Sequence, residues 1–482
     1  MMKKLQNRIR RKPAELWTIV KRIRSVGPDS TNDNTRYTQE QINNLAETLF
    51  PQIERNISQE TANTYKPSII TQQELHTAKE MVRKKKYKGP DDITFKAFNR
   101  ALELIPDIIF DIARMSFYTS HVPEHCQLTQ GTIIPKKQAG KYRIVHVSTA
   151  LTAFLEVIAL NRFQHALEIH QIELVNRIIT SVATHRGYLH NELTGSNAMR
   201  NNQTTLVALD ISGAFDNVTQ KEIIDKLIEK MPQEGVTYWI KEFILHRKIT
   251  IKHKGMTSYY RQVMRGVPQG SALGPLLWNL AIEDIDRQIY GHCNEFKNTE
   301  ILAYADDLTV ISHGYQQQIT QGVLDKINTY MKNKNLDINA QKSEMMVIRG
   351  PGRKPKQEDI PTLHLGQEPL TRKDKLTILG VPVTNKLTLD TRNETLQMKL
   401  RETKRFFRQL HLYKITDNMK EWRILIEASL RSILVHLASP VLAIDQRGRQ
   451  WSNRQFFHSL AYIFGWPKNI SQNMIYRVVH RV

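Results

Sequence analysis

Three acidic residues define the chemistry that this chain could perform. Asp210 closes the apolar run TTLVALDI at residues 204–211, and Asp306 and Asp307 divide a second run, ILAYADDLTVIS, at residues 301–312. The two sites are 96 positions apart (306 minus 210). Short apolar runs rich in β-branched residues read as buried strands. The first is then a strand with an acid near its C-terminal end, and the second a hairpin with two acids at its tip. Unpaired carboxylates beside a sheet interior are costly unless a cation offsets them. Hard oxygen donors suit Mg²⁺, which takes one or two carboxylates together with water and substrate phosphates. Two such ions about 3.5–4 Å apart can activate an attacking 3′-hydroxyl and stabilise a leaving pyrophosphate. An Asp-Asp pair also has a plain reading as turn residues. The apolar flanks and the distant third acid favour the chemical one.

Two further stretches could serve such a site. Arg265-Gly266-Val267-Pro268-Gln269-Gly270-Ser271 makes a tight turn that feeds a helical run, ALGPLLWNLAIEDI. Glycine allows close backbone approach to a ligand, and a helix N-terminus suits an incoming phosphate; an ordinary loop is the plain alternative. Residues 131–147 read as a hairpin with Lys136 and Arg143 on either side of its turn. Both cations could reach a triphosphate, or could simply be a solvated charged surface.

The remaining elements must position these residues. Residues 71–88 read as a helix ending in the basic run Arg83, Lys84, Lys85, Lys86 and Lys88, before a Gly89-Pro90-Asp91-Asp92 turn. Residues 100–118 carry helical periodicity with Pro106 as a break or first-turn residue, and 150–175 read as a buried helix. Thr219 to Glu222 matches a capping box for a helix from 220 to 231. Residues 349–361 read as an exposed loop, and the chain beyond 390 as helical with basic faces. The pattern implies an α+β unit followed by an all-α one.

Bulk properties narrow the function classes. The 482 residues hold two or three domains. Lys and Arg exceed Asp and Glu by 69 to 47, a net charge of +22. Such a surplus points to nucleic acid, because phosphate neutralisation releases counterions; an anionic membrane surface is the weaker alternative. No apolar run reaches the roughly 18 residues of a membrane span, and the basic N-terminus lacks the apolar core of a signal peptide. The two cysteines, Cys126 and Cys293, build neither a disulfide framework nor a zinc knuckle. An intracellular location is expected.

In order, the chain shows IPKKQAGKYRIV, ALDISGAFDNV, RGVPQGSALGPLLWNL, YADDLTVI, NAQKSEMMVI and TILGVPV. This series resembles the successive motifs of reverse transcriptases, most closely the non-LTR (LINE-like) group, over roughly residues 80–385. The departures are Arg143-Ile144-Val145, where the family commonly has Arg-Pro-Ile, and His185-Arg186-Gly187-Tyr188, where it has Gly-Phe-Arg.

The resemblance implies a right-hand polymerase: a basic extension over 1–70, fingers and a palm with a small antiparallel sheet over 71–385, and a helical thumb over 386–482. It implies RNA-directed DNA synthesis from a DNA primer with deoxynucleotides on an RNA template, using two Mg²⁺ ions with Mn²⁺ as a substitute, in the nucleus. Asp210, Asp306 and Asp307 fall on the metal-binding positions. Phe215 falls on the aromatic gate that crowds a ribose 2′-hydroxyl; without the family it reads as a core phenylalanine. Lys136 and Arg143 match the triphosphate-holding residues of the fingers. Gln269 and Gly270 match the loop that supports template base and nucleotide. Lys342 matches a lysine beside the leaving phosphate, and Leu379 and Gly380 the primer grip. The alternatives are an enzyme that makes RNA, which Phe215 opposes, and a maturase-like RNA-binding protein, which the intact acids oppose.

Overall fold

The computed structural model describes residues 38–52, 65–135, 142–172, 203–253, 256–291, 296, 298–314, 317–349, 362–378, 381–385, 390–412, 422, 426, 429–430, 433, 446–467, 470–471 and 474. The N-terminal basic segment through residue 37, the Lys136 side of the first hairpin's turn, the His185 to Tyr188 segment, the loop from 350 to 361 and Leu379-Gly380 lie outside these residues.

Four helices open the described chain: α1 (Gln39–Leu49), α2 (Gln72–Arg83), α3 (Phe95–Leu104) and α4 (Pro106–Tyr118). Thr71 caps α2 in a reciprocal box with Glu74. The helix expected over 71–88 stops at Arg83, so the lysines after it lie in a loop. Lys88 there bridges to Thr94 and the Gly89 amide reaches Ile93 O at 3.4 Å, hydrogen bonds that a continued helix would forgo. Pro106 stands at the start of α4, where its missing N–H costs nothing, so the single periodic stretch is two helices.

The hairpin β1 (Leu128–Pro135) and β2 (Tyr142–Ser148) forms as expected, with Ile134 opposite Arg143. Helix α5 (Ala150–Ile169) follows, buried along most of its first half. Next come β3 (Gln203–Ser212), α6 (Gln220–Lys230), α7 (Gly235–Leu245), β4 (Lys248–His253), β5 (Met256–Thr257) and β6 (Arg261–Gln262). Thr219 caps α6 by accepting from the Glu222 amide at 3.2 Å. Strand β4 lies parallel to β1, and the resulting sheet runs β2-β1-β4-β5 with β6 on β4. Ile42 and Ala46 of α1 seal one of its faces against Ile133, Ile144, Ile249 and Ile251.

Helices α8 (Gly274–Ala281) and α9 (Ile285–Tyr290) lead to the hairpin β7 (Thr299–Tyr304) and β8 (Asp307–His313), then to α10 (Gln317–Asn333), β9 (Asp337–Ile338) and β10 (Glu344–Arg349). The second sheet runs β10-β3-β8-β7, all antiparallel, with β9 pairing the end of β3. A short strand β11 (Thr371–Arg372) adds parallel to β10. Strands β12 (Lys375–Ile378) and β13 (Val381–Thr384) form a separate ladder. Beyond them, α11 (Asp390–Leu412) and α12 (Gln446–Phe464) pack on one another through His411 and Phe464, with the Arg408 guanidinium donating to Ile463 O at 3.1 Å. The whole is α+β with a small antiparallel sheet followed by helices, and no described helix is long and apolar enough to cross a membrane.

Strand β3 is buried on both faces. Val207, Leu209 and Ile211 enter the main core beneath helices α5 to α8, while Leu206 and Ala208 join Ile311, Met346, Ile348 and the β12-β13 ladder on the other side. Beneath the sheet, an ion network ties α6, the α8–α9 corner and α10 together. Lys226 lies 3.6 Å from Asp284 and 3.7 Å from Glu283, and Lys334 pairs with Glu222 and, at 3.3 Å, with Asp284. Tyr330 donates to Asp284 at 2.6 Å. These groups hold the Asp284 carboxyl below the usual range despite its partial burial. Removing one member of such a network strands the others. Asp284→Ala is therefore expected to lower stability by about 3–5 kcal/mol, read as a fall in the urea midpoint at unchanged slope.

Candidate active site

The period of a strand decides where Asp210 points. Residues two apart share a face, so Asp210 continues the row of Leu206 and Ala208 beyond its apolar part. On β8, Asp307 stands directly opposite Asp210, as Thr309 stands opposite Ala208 and Ile311 opposite Leu206. Opposed residues of an antiparallel pair have Cα atoms about 4.5–5.5 Å apart and side chains on one face. The two carboxylates are thus side by side at the sheet rim.

The hairpin tip differs from the expected pair of turn acids. Tyr304 pairs with Asp307, so the turn is Ala305-Asp306 and Asp307 is already in the strand. Ala305 takes φ +52°, a left-handed conformation costly for any residue but glycine. The Trp278 indole holds it by donating to Ala305 O at 2.7 Å. Burial, together with the charges of Asp306 and Asp210, pushes the Asp307 carboxyl above its usual range.

Asp210 is held from its own backbone. Its amide donates to Ser343 Oγ at 3.1 Å, its carbonyl accepts from the Asn339 amide at 2.8 Å, and Ser343 Oγ donates to Asn339 O at 2.7 Å. Lys342, in the same turn, brings Nζ to 3.4 Å from Asp210 Oδ2. Both side chains are about half exposed, so this pair adds little to stability, but it is the cation nearest the acids among the ion pairs of the described residues.

Phe215 follows β3 by three residues and is half-buried, stacked on Trp278 at 5.2 Å. The two readings of Phe215 meet here, since one face packs on the core while the residue stays partly open. Gln269 Nε2 donates to Asp216 Oδ1 at 3.3 Å, and Gln269 O accepts from the His146 amide at 2.8 Å. Two glycines make this approach feasible. Gly266 (φ +79°) brings its backbone so close that a Cβ would lie 2.8 Å from Phe215 O and Asp216 O, and Gly270 (φ +105°) would meet His146 O at 3.0 Å. The loop therefore zips the turn after β3 to the end of β2. Arg143 is exposed on β2; Lys136, Leu379 and Gly380 fall outside the described residues.

Glu156 of α5 braces the loop that leads into α8, while the start of α8 itself carries no side-chain cap. Glu156 Oε2 accepts from Ser271 Oγ at 2.7 Å and from the Ala272 amide at 2.9 Å. Glu156 is 1% exposed, and burial pushes its carboxyl up. Its sequence signal was a single acid in the apolar stretch AFLEVIAL. Trp278, Asn339 and Ser343 carried no comparable signal, since their partners are backbone atoms far along the chain.

A cavity of 320 Å³ lies behind the loop, lined by Phe50, Tyr142, His146, Asp216, Arg247 and Met264 among others. Arg247 is fully buried and donates to Gly266 O at 2.5 Å.

The sequence from residue 134 to 383 matches the reverse transcriptase (RNA-dependent DNA polymerase) family, more than half of the chain. The chain belongs to the reverse transcriptase family. Among its relatives are a Retrovirus-related Pol polyprotein from type-2 retrotransposable element R2DM of Drosophila melanogaster (25% identical, covering 66% of this chain and 30% of that one) and an RNA-directed DNA polymerase from mobile element jockey of the same species (23% identical, 77% and 41%). Both relatives are encoded by mobile elements. The chain spans well under half the length of these relatives. Of the solved structures, telomerase from Candida tropicalis in complex with a fragment of telomeric RNA aligns with 81% of this chain and 61% of its own at 12% identity and a TM-score of 0.45.

His146 supplies a pH test of the packing around this reverse transcriptase loop. Burial, aided by the Arg247 charge, lowers its pKa to about 3 from 6.5. The unfolded chain therefore binds a proton that the folded one refuses between those values, so stability falls as pH drops below 6.5. At pH about 5 the loss is about 2 kcal/mol, at 1.36 kcal/mol per unit. His146→Phe should flatten the decline in melting temperature between neutral pH and that point; an unchanged decline would assign the pH sensitivity to other groups.

Proposed function

We propose that the chain is the RNA-directed DNA polymerase of a non-LTR retrotransposon, joining deoxynucleotides to a primer 3′-hydroxyl on an RNA template. The observation that carries this reading is the placement of Asp210 opposite Asp307 with Asp306 in the adjoining turn. Family membership supplies the polymerase chemistry, and the acids supply a place for it. A net charge of +22 accounts for a polyanionic template and product.

The residues fit a pair of divalent cations. The donors are hard carboxylate oxygens partly open to solvent, and burial together with the neighbouring acids raises the Asp307 carboxyl, an effect that an added positive charge would oppose. Among the described residues no group of three or more His, Cys, Asp or Glu side chains would by itself hold an ion, so water and substrate phosphates would have to complete the shell of a Mg²⁺ at these acids. When bound, such ions would lower the cost of deprotonating the 3′-hydroxyl and of releasing pyrophosphate. Mn²⁺ offers the same charge and would substitute. Asp210, Asp306 and Asp307 hold the ions in this reading.

The chain's own groups do the rest. Phe215, braced by Trp278, presents a ring where a ribose 2′-hydroxyl would clash. Gln269 and Gly270, fixed to β2 and to Asp216, support the base pair under formation. Arg143 and Lys136 hold the triphosphate, and Lys342 can pass a proton to the leaving phosphate from its position beside Asp210. Leu379 and Gly380 hold the primer end, and α11 and α12 form a thumb along the duplex. The reaction belongs in the nucleus if the primer is chromosomal DNA.

Primer extension on an RNA template with Mg²⁺ and deoxynucleotides tests the reading. Asp306→Ala should lower extension by about 100-fold or more, the scale on which groups that stabilise developing charge act, while RNA binding persists. Wild-type protein that binds RNA yet extends nothing with Mg²⁺ or Mn²⁺ would make it a binding protein of the maturase kind. Phe215→Val should raise ribonucleotide use relative to deoxynucleotide use by about tenfold or more, measured as the ratio of kcat/KM values; an unchanged ratio would return Phe215 to a packing role.

A further inference from the structure

The basic run after α2 has no part in the site above. It forms one wall of a cleft of 830 Å³ between the end of α2 and the first turns of α3. Six cations line the cleft, Arg83, Lys85, Lys86, Lys88, Lys96 and Arg100, against one acid, Glu103, a surplus of five (six minus one). Arg83 is answered by Glu80 at 3.6 Å, Lys88 by Asp92 at 2.8 Å and Arg100 by Glu103 at 2.9 Å. Lys85, Lys86 and Lys96 form no ion pair among the described residues, and Lys86 and Lys96 are exposed.

This is not the pattern of a merely solvated helix face. Such faces intersperse both signs at helical spacing, as Arg100-Glu103 and Arg114-Asp111 do nearby. Here Lys96 stands in the first turn of α3, a turn with no acid, where the helix dipole opposes a cation. Lys85 and Lys86 add to the same crowding from the facing loop. The free protein bears this repulsion, and a polyanion in the cleft would relieve it.

The side chains also indicate what kind of polyanion. Lysine presents a point charge on a flexible stem, which suits phosphate without fixing base identity. Of the two aromatics lining the cleft, Phe95 is 1% exposed and packs edge-on against Tyr87 at 4.5 Å, and the half-buried Tyr87 ring has the Lys85 ammonium over it at 6.0 Å, so neither offers a free face on which a base could stack. An acidic peptide would lack an apolar anchor for the same reason.

We propose that this cleft is a second nucleic-acid site that holds the phosphodiester backbone of an RNA strand outside the carboxylate site, without sequence preference. The choice of RNA rests on the polymerase reading; the cleft and its charge do not.

The test is binding of the full chain to fluorescent oligouridylate and oligoadenylate across a potassium chloride series, without primer or nucleotides. The variant Lys86→Gln/Lys96→Gln removes two unpaired exposed charges. A control, Lys241→Gln/Lys332→Gln, removes two lysines from α7 and α10. The slope of log K against log salt should shrink by about 0.7 for each lost phosphate contact, about 1.4 for the cleft variant, equally on both oligomers, and stay at the wild-type value in the control. The proposal is overturned if the cleft variant keeps the wild-type slope, if the control shrinks equally, if only one base is affected, if polyglutamate competes better than RNA of equal charge, or if the wild type binds neither oligomer. The two readings fail separately. Loss of slope in a protein that extends no primer keeps the cleft and removes the polymerase, whereas extension with an unaltered slope does the reverse.

Discussion

The structure depends on the confrontation of Asp210, Asp306 and Asp307 at one sheet rim. Like charges so close repel, and burial together with that repulsion raises the Asp307 carboxyl. A protein can keep such an arrangement only if packing elsewhere prevents the strands from relaxing apart. The zipped rows of apolar side chains on both faces of β3 and β8 do this, with Leu206 opposite Ile311 and Val207 opposite Val310. A slip of one residue would exchange the rows that pack into the two cores and move Asp210 away from Asp307.

Around that rim, three anchors pin backbone to the core. Trp278 holds the strained Ala305, Ser343 and Asn339 hold the end of β3, and Glu156 holds the loop that carries Gln269 and Gly270. Each uses a buried or half-buried group to satisfy a main-chain atom that a tight turn leaves exposed. Trp278 serves twice, since it also stacks on Phe215. The hairpin tip and the residue that would screen the sugar are thus positioned by one side chain, and a shift in either is felt by the other.

Charge is distributed by a different rule. Below the sheet, acids and lysines are mutually paired and mostly buried, so the network ties helices together with its charges largely answered within it. In the α2–α3 cleft Lys86 and Lys96 are exposed and form no ion pair among the described residues. The first arrangement favours a single geometry; the second is compatible with a charged strand lying in it.

The sequence by itself determined the strand regions at 131–147, 204–211 and 301–312 and the order of the acids along them, because burial of both faces demands uninterrupted apolar runs, while the shorter strands and the entry of Asp307 into β8 were not legible. It also placed Pro106, the first hairpin and the cap at Thr219. The end of α2 at Arg83 was less legible, since the lysines that follow are good helix formers and only the bridge from Lys88 to Thr94 draws them into a loop. Tertiary structure alone decided that Asp210 faces Asp307, that Glu156 reaches across 115 positions to Ser271, and that Trp278 supports Ala305. These are contacts between residues distant in sequence, made to backbone atoms that every residue carries, and local periodicity holds no information about them.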